Sequence, residues 1–439
     1  MTETSTFDVL VVGAGPAGIA AACSAAECGV RVGLVDEGFS EGGQIWRGEQ
    51  PSPKTRQAAL WFSRLAASNV RRMPRTRIAA ALDEKTLLAV SAAGPLALRY
   101  HRLILATGAR ELFVPFPGWT RPNVMGAGGL QALVKGGLSL KGEEILLAGS
   151  GPLLLAVADH LREVGAQVVA VVEQAPFGRV VKFGMSLWRS PGKLFQGLGI
   201  QWRLRGMVQH FGSHVQSVET IGGRLIATLS LEGRERRMAC DRLACAFGLV
   251  PNLELPLLLR CPLGEDGIVK ADPYQATGTD GVYAAGELTG IGGVEKALVE
   301  GRIAGYSAAG SAPSARALFG QRNAALDFTH RLAQAFELPA HLKTLATDET
   351  IVCRCEDITL GALRRNASLR EARLNTRCGM GACQGRTCGG ALRFLYGWRD
   401  ASPRPPVYPM EIGHLACAAD GANDRERREQ KATAPSAAE

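Results

Sequence analysis

The sequence predicts a mixed α/β fold, in which two strand–turn–helix–strand units are followed by a small, α-rich and cysteine-rich C-terminal unit. Two glycine turns, at 13–18 and 149–151, each lie between an apolar run and a helix-like stretch. Five of the 11 cysteines fall between Cys353 and Cys388. A chain of 439 residues has room for two or three domains.

The first strand–turn–helix–strand unit lies at the N-terminus. The apolar run Val9–Val12 suits a buried strand, and glycines follow in the spacing G-x-G-x-x-G before a small-residue helix and a second strand ending in Asp36. In this context the glycines make a tight turn, admit a pyrophosphate and let helix and strand pack closely, while the acid can accept a hydrogen bond from a ribose hydroxyl. We expect a dinucleotide site; a nucleotide-free α/β core is the alternative. The candidate residues of this dinucleotide site are Gly13, Gly15, Pro16, Gly18, Asp36 and Glu37.

The second unit repeats this theme with one change. A strand over Glu144–Ala148 leads to Gly149 and Gly151, but Leu154 stands where the third glycine is expected, and the next strand ends in Glu173. A working site would favour NAD, because the glutamate would accept ribose hydroxyls and repel a 2′-phosphate. The alternatives are a retained fold with a lost ligand and a fold with an altered one, such as ADP or ATP.

Composition and charge narrow the class of protein. The net charge is +9, with basic patches at Arg71–Arg77 and Arg234–Arg237, but aromatic residues are sparse and not interleaved with them, so nucleic-acid binding is not expected. The N-terminus lacks the pattern of a signal peptide, and no uncharged apolar run is long enough for a transmembrane helix. We expect a cytoplasmic protein, either free or bound peripherally at the inner face of the membrane.

Two further motifs resemble a known family. The strand LILATGAR carries Thr107 and Gly108, and DGVYAAGELTG carries Gly286 and Glu287, which stands where the family usually has Asp. Both resemble the two-dinucleotide-domain flavoproteins of the glutathione-reductase type. The resemblance implies an FAD domain (1–115 and 242–312) that is split by an NAD-type domain (116–241), with Leu243–Pro251 as the returning strand. The turn holding Gly43 and Gln44 either approaches the flavin or is an ordinary glycine turn.

A linker region (313–350), with a packing helix over Arg316–Leu338, precedes the cysteine-rich unit (351–419), which contains a helix over Thr359–Arg373; a disordered tail (420–439) follows. Clustered thiols in a chain without an export signal favour a metal site over disulfides. CRCEDIT and TRCGMGACQGRTCG resemble the [2Fe–2S] domains of the bacterioferritin-associated-ferredoxin type. The resemblance implies ligation by four thiols, with Cys378 as a neighbour and structural zinc as the alternative: Cys353, Cys355, Cys383 and Cys388. Cys240, Cys245, Cys261 and Cys417 are expected to be buried.

Nearly the whole chain resembles one flavoprotein subunit family, through ATGAREL, PFPGW, GAGGLQALVKGG, AGSGPLLL and the cysteine unit. That family comprises the FAD/[2Fe–2S] subunits of hydrogen cyanide synthase, opine oxidase and the hetero-oligomeric proline or hydroxyproline dehydrogenases. It implies a partner flavoprotein subunit that oxidises an amino acid or secondary-amine acid, FMN at a subunit junction and a small ferredoxin-like third subunit.

Three functions fit these features. The chain is an electron-handling dehydrogenase subunit, a stand-alone NAD(P)H-dependent reductase that passes electrons out through its cluster, or a scaffold with a non-catalytic nucleotide site. The sequence offers no nucleophile and no acid–base dyad, so no catalytic residue is assigned. Leu154 weakens the second function.

Overall fold

The computed structural model describes residues 3–50, 52–399 and 403–416 and places them in two units. Of these described residues, 3–50, 52–108, 251–325 and 403–416 form the first unit, and 109–250 and 326–399 form the second. The predicted disordered tail and Cys417 lie outside the described residues. Among the helices described, none has the length and apolar character needed to cross a bilayer.

The N-terminal segment builds most of the first unit's sheet. Its elements are β1 (Glu3–Val12), α1 (Pro16–Ala26), β2 (Val32–Val35), α2 (Arg56–Ala66), β3 (Arg71–Met73), β4 (Arg77–Asp83), β5 (Thr86–Ser91) and β6 (Gly94–Leu105). The strand order is β3-β2-β1-β6-β5-β4, with β1 parallel to both β2 and β6. The predicted strand–turn–helix–strand unit is therefore present, and its glycine turn lies at the carboxyl end of β1, where open parallel sheets bind ligands.

The next segment builds a second parallel sheet. Its elements are β7 (Ala109–Glu111), β8 (Val124–Gly126), α3 (Ala127–Lys135), β9 (Glu144–Gly149), α4 (Pro152–Glu163), β10 (Gln167–Glu173), α5 (Phe177–Ser186), α6 (Pro191–Arg203), β11 (Gln209–His210), β12 (His214–Ile221), β13 (Arg224–Leu231), β14 (Arg234–Cys240), β15 (Arg242–Ala246) and β16 (Leu249–Pro251). The parallel order is β11-β10-β9-β15-β8, and β12-β13-β14 form an antiparallel sheet. The strand expected to return to the first domain thus begins as β15, within the second sheet.

The remaining elements complete both units. They are α7 (Glu254–Leu258), β17 (Val282–Ala284), α8 (Gly293–Ala308), α9 (Ala312–Arg316), α10 (Phe319–Ala335), β18 (Ile351–Cys353), β19 (Ile358–Thr359), α11 (Leu360–Leu363), α12 (Leu369–Thr376) and α13 (Cys388–Tyr396). β17 pairs with β6 in the first sheet. The predicted helix over Arg316–Leu338 is shorter and begins at Phe319.

The expected single helix over Thr359–Arg373 is wrong, because polar side chains divide it into α11 and α12. The side-chain amide of Asn366 donates to the carbonyls of Ala362 and Leu363 and so closes the first helix. The Ser368 hydroxyl then accepts the N–H of Glu371 and begins the second. Such local side-chain hydrogen bonds compete with the continuing helix.

Two glycines fix how α8 packs on α1 in the first unit. A Cβ on Gly301 would lie 2.2 Å from the carbonyl oxygen of Ala17, and one on Gly305 would lie 2.3 Å from that of Ala21. Both distances are far below van der Waals contact, so only hydrogen fits between the two helix backbones. The helix that carries the first glycine turn is therefore held by residues almost 290 positions later in the chain.

The cysteine-rich module packs on the second sheet within the second unit. The indole N–H of Trp119 donates to the carbonyl of Ile351 over 2.6 Å. Leu342 and Phe394 join the apolar cluster formed by Val114, Phe116 and neighbouring side chains of this unit. Through Phe394, the module therefore packs on the hydrophobic core of the second parallel sheet.

A histidine pair in the second unit leads to a pH-dependent stability prediction. The rings of His214 and His341 lie 4.5 Å apart, and burial, followed by repulsion from His341, lowers the pKa of His214 below its usual 6.5. The unfolded chain then binds more protons than the folded chain, so stability should fall as the pH drops through 6.5. Thermal unfolding between neutral and mildly acidic pH should show a smaller loss for His214→Gln than for the wild type. An equal loss in both proteins would contradict this prediction, and the exposed His101→Gln is the control.

Candidate flavin and iron–sulfur sites

The first glycine turn has the geometry that its spacing predicts. Gly13 has φ +105°, and a Cβ there would lie 2.3 Å from the carbonyl oxygen of Ala106. A Cβ on Gly18 would lie 1.6 Å from the carbonyl oxygen of Gly13, so the helix and the turn are in direct backbone contact. Pro16 occupies the first turn of α1, next to the N-cap residue Gly15. The N-terminal N–H groups of α1 are thus presented at the end of β1, in the arrangement that binds phosphate.

The turn after β2 passes directly over this glycine turn. A Cβ on Gly43, whose φ is +58°, would lie 2.8 Å from the Cα of Gly15, and the N–H of Gly42 donates to the carbonyl of Ala14 over 2.8 Å. Gln44 is exposed beside it. Of the two roles that the sequence left open for this turn, the close backbone approach favours a part in the ligand site.

Gly43→Ala should therefore weaken flavin retention, because its methyl group would press on the turn that carries Gly15. Gly48→Ala is a matched control in the same loop: its φ is also positive, at +74°, but nothing lies within 4 Å of its added Cβ. The measurement is flavin absorbance per chain after gel filtration. We expect a several-fold lower flavin content for Gly43→Ala than for Gly48→Ala; equal contents would place the turn outside the site.

The acids after β2 differ in their surroundings. Asp36 is half-buried, and its carboxylate accepts the N–H of Ala14 over 2.5 Å and the N–H of Gly38 over 2.7 Å. Burial raises the pKa of Asp36 against these two hydrogen bonds. Each carboxylate oxygen retains a second lone pair, so the side chain can still accept a ribose hydroxyl while it holds the turn. Glu37 is exposed and pairs with Arg77 over 2.8 Å.

The Thr107–Gly108 motif joins two distant segments of the first unit. The Thr107 hydroxyl donates to the carbonyl of Asn252 over 3.1 Å, and the Asn252 amide donates back to the carbonyl of Thr107 over 2.7 Å. The N–H of Asn252 also donates to the carbonyl of Gly108. These reciprocal bonds fix the end of β6 beside the first glycine turn, since Ala106 contacts Gly13.

The third motif, which contains Gly286, is hydrogen-bonded to a buried ion pair that the sequence analysis did not identify. Lys296 and Glu300 are each 1% exposed, and their charged atoms lie 2.8 Å apart. Glu300 accepts the N–H of Gly286, and Lys296 donates to the Gly286 carbonyl. Glu287 accepts the N–H groups of Gly292 and Gly293 at the start of α8, and burial raises its pKa. The structure therefore gives Glu287 a helix-capping role.

The second glycine turn is also formed, and Leu154 fits it. Gly149 has φ +151° and Gly151 has φ +100°, while the Leu154 side chain is fully buried between α4 and the sheet. Glu173 accepts hydrogen bonds from the Ser150 hydroxyl and from the N–H groups of Gly151 and Ala175. Burial raises the pKa of Glu173, and these donors oppose that shift.

A side chain from the end of α10 lies against this second turn. A Cβ on Gly151 would be 3.8 Å from the ring of Phe336, and the Ser150 hydroxyl lies 3.4 Å from the Phe336 carbonyl. The same ring packs edge-on against Phe183, 5.3 Å between centroids. The turn that the sequence assigns to a nucleotide is thus bordered by the chain's own aromatic residue, which no motif had indicated.

The C-terminal cysteines form a buried group of three. The sulfur atoms of Cys353, Cys378 and Cys388 all lie within 4.8 Å of one another, and all three residues are buried. The N–H of Gly379 donates to the Cys353 sulfur over 3.4 Å. Hydrogen bonds from Cys378 and Cys388, with that N–H, lower the pKa of the Cys353 thiol to about 2. Three converging sulfurs and a donor aimed at one of them suit a soft metal or an iron–sulfur cluster.

The other two expected ligands are not members of this group of three. Cys355 is exposed and Cys383 is half-buried, and the two are hydrogen-bonded to each other. Cys378, expected as a neighbour of the ligands, lies within 4.8 Å of the sulfurs of Cys353 and Cys388. Cys240, Cys245 and Cys261 are buried, as expected. Cys23 and Cys28 are free thiols on and just after α1, so the flavin site has no disulfide there.

Comparison with known proteins agrees with this geometry. The profile of the pyridine nucleotide-disulphide oxidoreductase family matches residues 7–311. The chain is 32% identical to the A-type subunit of opine oxidase from Rhizobium meliloti, over 94% of this chain and 99% of that protein. It is 30% identical to hydrogen cyanide synthase subunit HcnB of Pseudomonas aeruginosa, over 92% of this chain and 96% of that protein.

Among solved structures, L-proline dehydrogenase from P. horikoshii has a similar fold, with a TM-score of 0.66 and 19% identity over 94% of this chain and 80% of that one. Thioredoxin reductase from T. acidophilum superposes on a smaller part, with a TM-score of 0.52 over 71% of this chain and 98% of that one. The glycine turns, the threonine–glycine strand end and the family profile lead to one conclusion: this chain belongs to the pyridine nucleotide-disulphide oxidoreductase family and is an FAD-dependent oxidoreductase.

Proposed function

We propose that this chain is the electron-transfer subunit of a hetero-oligomeric dehydrogenase whose partner flavoprotein subunit oxidises an amino acid or a secondary-amine acid of the opine, proline, hydroxyproline or glycine type. The names of the relatives support this proposal, since the opine oxidase and hydrogen cyanide synthase relatives are themselves subunits. Both align with almost the whole of this chain, including its cysteine-rich module.

The observation that carries the proposal is the presence of a flavin-type site and a buried thiol group in one chain. A flavin exchanges two electrons, whereas a [2Fe–2S] cluster carries one at a time, so the pair can connect a two-electron oxidation to one-electron carriers. The residues of this chain would hold both groups. Gly13, Gly15 and Gly43 have no side chain, so phosphates and neighbouring backbone can approach them closely. Cys353 accepts hydrogen bonds that favour its thiolate form.

Two ligand sets remain for the cluster. Cys353 and Cys388 belong to both, and the third and fourth thiols come either from Cys355 and Cys383, as the family resemblance implies, or include the buried Cys378. Iron and zinc analyses of Cys378→Ser and Cys355→Ser separate these sets. A fall in iron content for Cys355→Ser alone supports the family set, and a fall for Cys378→Ser assigns a ligand role to the buried thiol.

The decisive experiment compares the purified chain alone with the chain plus its partner subunit. We expect visible absorbance of flavin and cluster, slow reduction by NADH, and rapid bleaching only when the partner and its amino-acid substrate are present. Rapid bleaching by NADH alone would instead support a stand-alone reductase. A colourless, redox-silent or zinc-containing protein would leave only the scaffold function.

We propose that the second glycine turn binds a nucleotide in a structural role, as NAD(H) or as ADP or ATP. The proposal rests on the preserved turn and on Glu173, which holds that turn through Gly151. Phe336 borders this turn and limits the space beside the Gly151 backbone. Equilibrium dialysis with NADH, ADP and ATP tests this: retention of an adenine nucleotide without flavin reduction is the expected result. The proposed complex also includes FMN at a subunit interface and a small ferredoxin-like subunit, which co-purification would reveal.

A further inference from the structure

Two consecutive helices of the second unit turn apolar stripes toward the outside. On α5, Phe177, Val181 and Met185 are spaced by one helical turn and are 62%, 40% and 66% exposed. On α6, Phe195, Leu198 and Trp202 follow the same rule and are 72%, 58% and 65% exposed. Trp188, in the short connection between them, is 73% exposed. We call these seven residues the α5–α6 face.

The inner side of α5 shows that this orientation is built into the fold. Phe183, on the opposite side of the helix, is buried and packs against the rings of Phe328 and Phe336. The helix therefore already has an apolar side that faces its own unit, and the α5–α6 face is a second one. Seven large apolar side chains exposed on two consecutive helices indicate an interaction surface, because monomeric proteins rarely expose apolar surface so densely.

The segment that carries the face contains charged residues of one sign. Residues 174–218 contain six Lys or Arg and no Asp or Glu. Arg189 and Arg203 pair with Asp327 and Asp159 from outside this segment. Arg179 and Lys182 are exposed and, within the described part of the chain, have no carboxylate partner. The Arg205 guanidinium lies 4.7 Å from the centre of the Trp202 ring, so cation and aromatic are adjacent.

We propose that the α5–α6 face binds an anionic lipid bilayer, with its aromatic and aliphatic side chains in the interfacial layer and its cations over the headgroups. Helices that lie in a membrane interface combine Trp, Phe and Leu on one side with Lys and Arg on the other. A protein partner would need an acidic patch of matching shape, whereas an anionic bilayer complements the cations Arg179 and Lys182 without a fixed shape.

The test is co-sedimentation of the full-length chain with vesicles of phosphatidylcholine alone or mixed with phosphatidylglycerol. We expect binding to the mixed vesicles only, weakening as salt is raised, together with a blue shift of tryptophan emission. Trp188→Ser/Trp202→Ser should lose most of the binding and the shift. Arg179→Glu/Lys182→Glu should bind roughly 25-fold more weakly or worse, because each cation near such a surface contributes about fivefold.

Matched controls carry the same chemical changes elsewhere in the unit. Ile221→Ser removes an apolar side chain that is 52% exposed on β12, and Arg234→Glu/Arg236→Glu reverses two exposed cations on β14. Both should bind vesicles like the wild type. The proposal is overturned if the wild type does not bind anionic vesicles, or if the control variants weaken vesicle binding as much as the face variants do. It is also overturned if the face variants lose the partner subunit while their vesicle binding is unchanged. These readouts do not depend on flavin or iron, so they are independent of the proposed electron-transfer function.

Discussion

Cys353→Ser should leave the purified chain with its flavin and without its iron. Cys353 is buried at the end of β18, within 4.8 Å of two other sulfurs, and it receives the N–H of Gly379. Serine is a poor ligand for iron–sulfur clusters, because these clusters are held by soft thiolates and a hydroxyl is a harder donor that stays protonated at neutral pH. We expect the cluster absorbance and nearly all iron to disappear while flavin content stays close to one per chain.

The control for this variant is Cys261→Ser, because Cys261 is equally buried but lies in the first unit. Its iron content should match that of the wild type. Iron that persisted in Cys353→Ser would contradict both ligand sets at once, because each contains this residue. Iron lost equally in both variants would point to a general loss of folding, which thermal unfolding of the two proteins would reveal.

Lys296→Met should be among the most destabilising single changes in the first unit. Removal of the ammonium leaves the Glu300 carboxylate buried without its counter-ion, and breaking one half of a buried pair typically costs about 3–5 kcal/mol. Because the pair brackets the backbone of Gly286, flavin content should fall together with the unfolding temperature. Thermal unfolding and flavin absorbance measure the two effects.

Two comparisons separate burial from charge. Lys85→Met breaks the exposed pair with Asp280, whose atoms are also 2.8 Å apart, and should lower the unfolding temperature far less than Lys296→Met does. Lys296→Met/Glu300→Gln removes both charges and should be more stable than Lys296→Met alone. A small effect of Lys296→Met, equal to that of Lys85→Met, would show that solvent reaches the pair.

The glycine turns were predictable because their determinants are local. The glycine spacing after β1, and again after β9, predicts within a few residues both the turn and the helix that follows it. The replacement of the third glycine by Leu154 was also visible in the sequence. In the structure, the Leu154 side chain is buried in the core around α4. The family profile over residues 7–311 is consistent with these motifs.

The parts that sequence reasoning missed depend on tertiary contact. Lys296 and Glu300 are four residues apart on a helix, a spacing typical of surface ion pairs, and only the packing of α8 on α1 buries them. Cysteine spacing suggested Cys378 as a neighbour of the ligands, but it could not show which thiols would converge most closely, because loop closure between β18 and α13 decides which thiols meet. Phe336 reaches the second turn from a helix that carries no nucleotide motif.

The close contact between Ala17 and Gly301, where only a hydrogen atom fits between the two helix backbones, has a consequence for biosynthesis. The first glycine turn emerges from the ribosome well before the helix that secures it, because 284 positions separate Ala17 from Gly301. Loop-closure entropy must be overcome across that whole interval before the first helix gains its partner. A nascent chain should thus acquire its prosthetic group late, and fragments ending before Gly293 should emerge colourless.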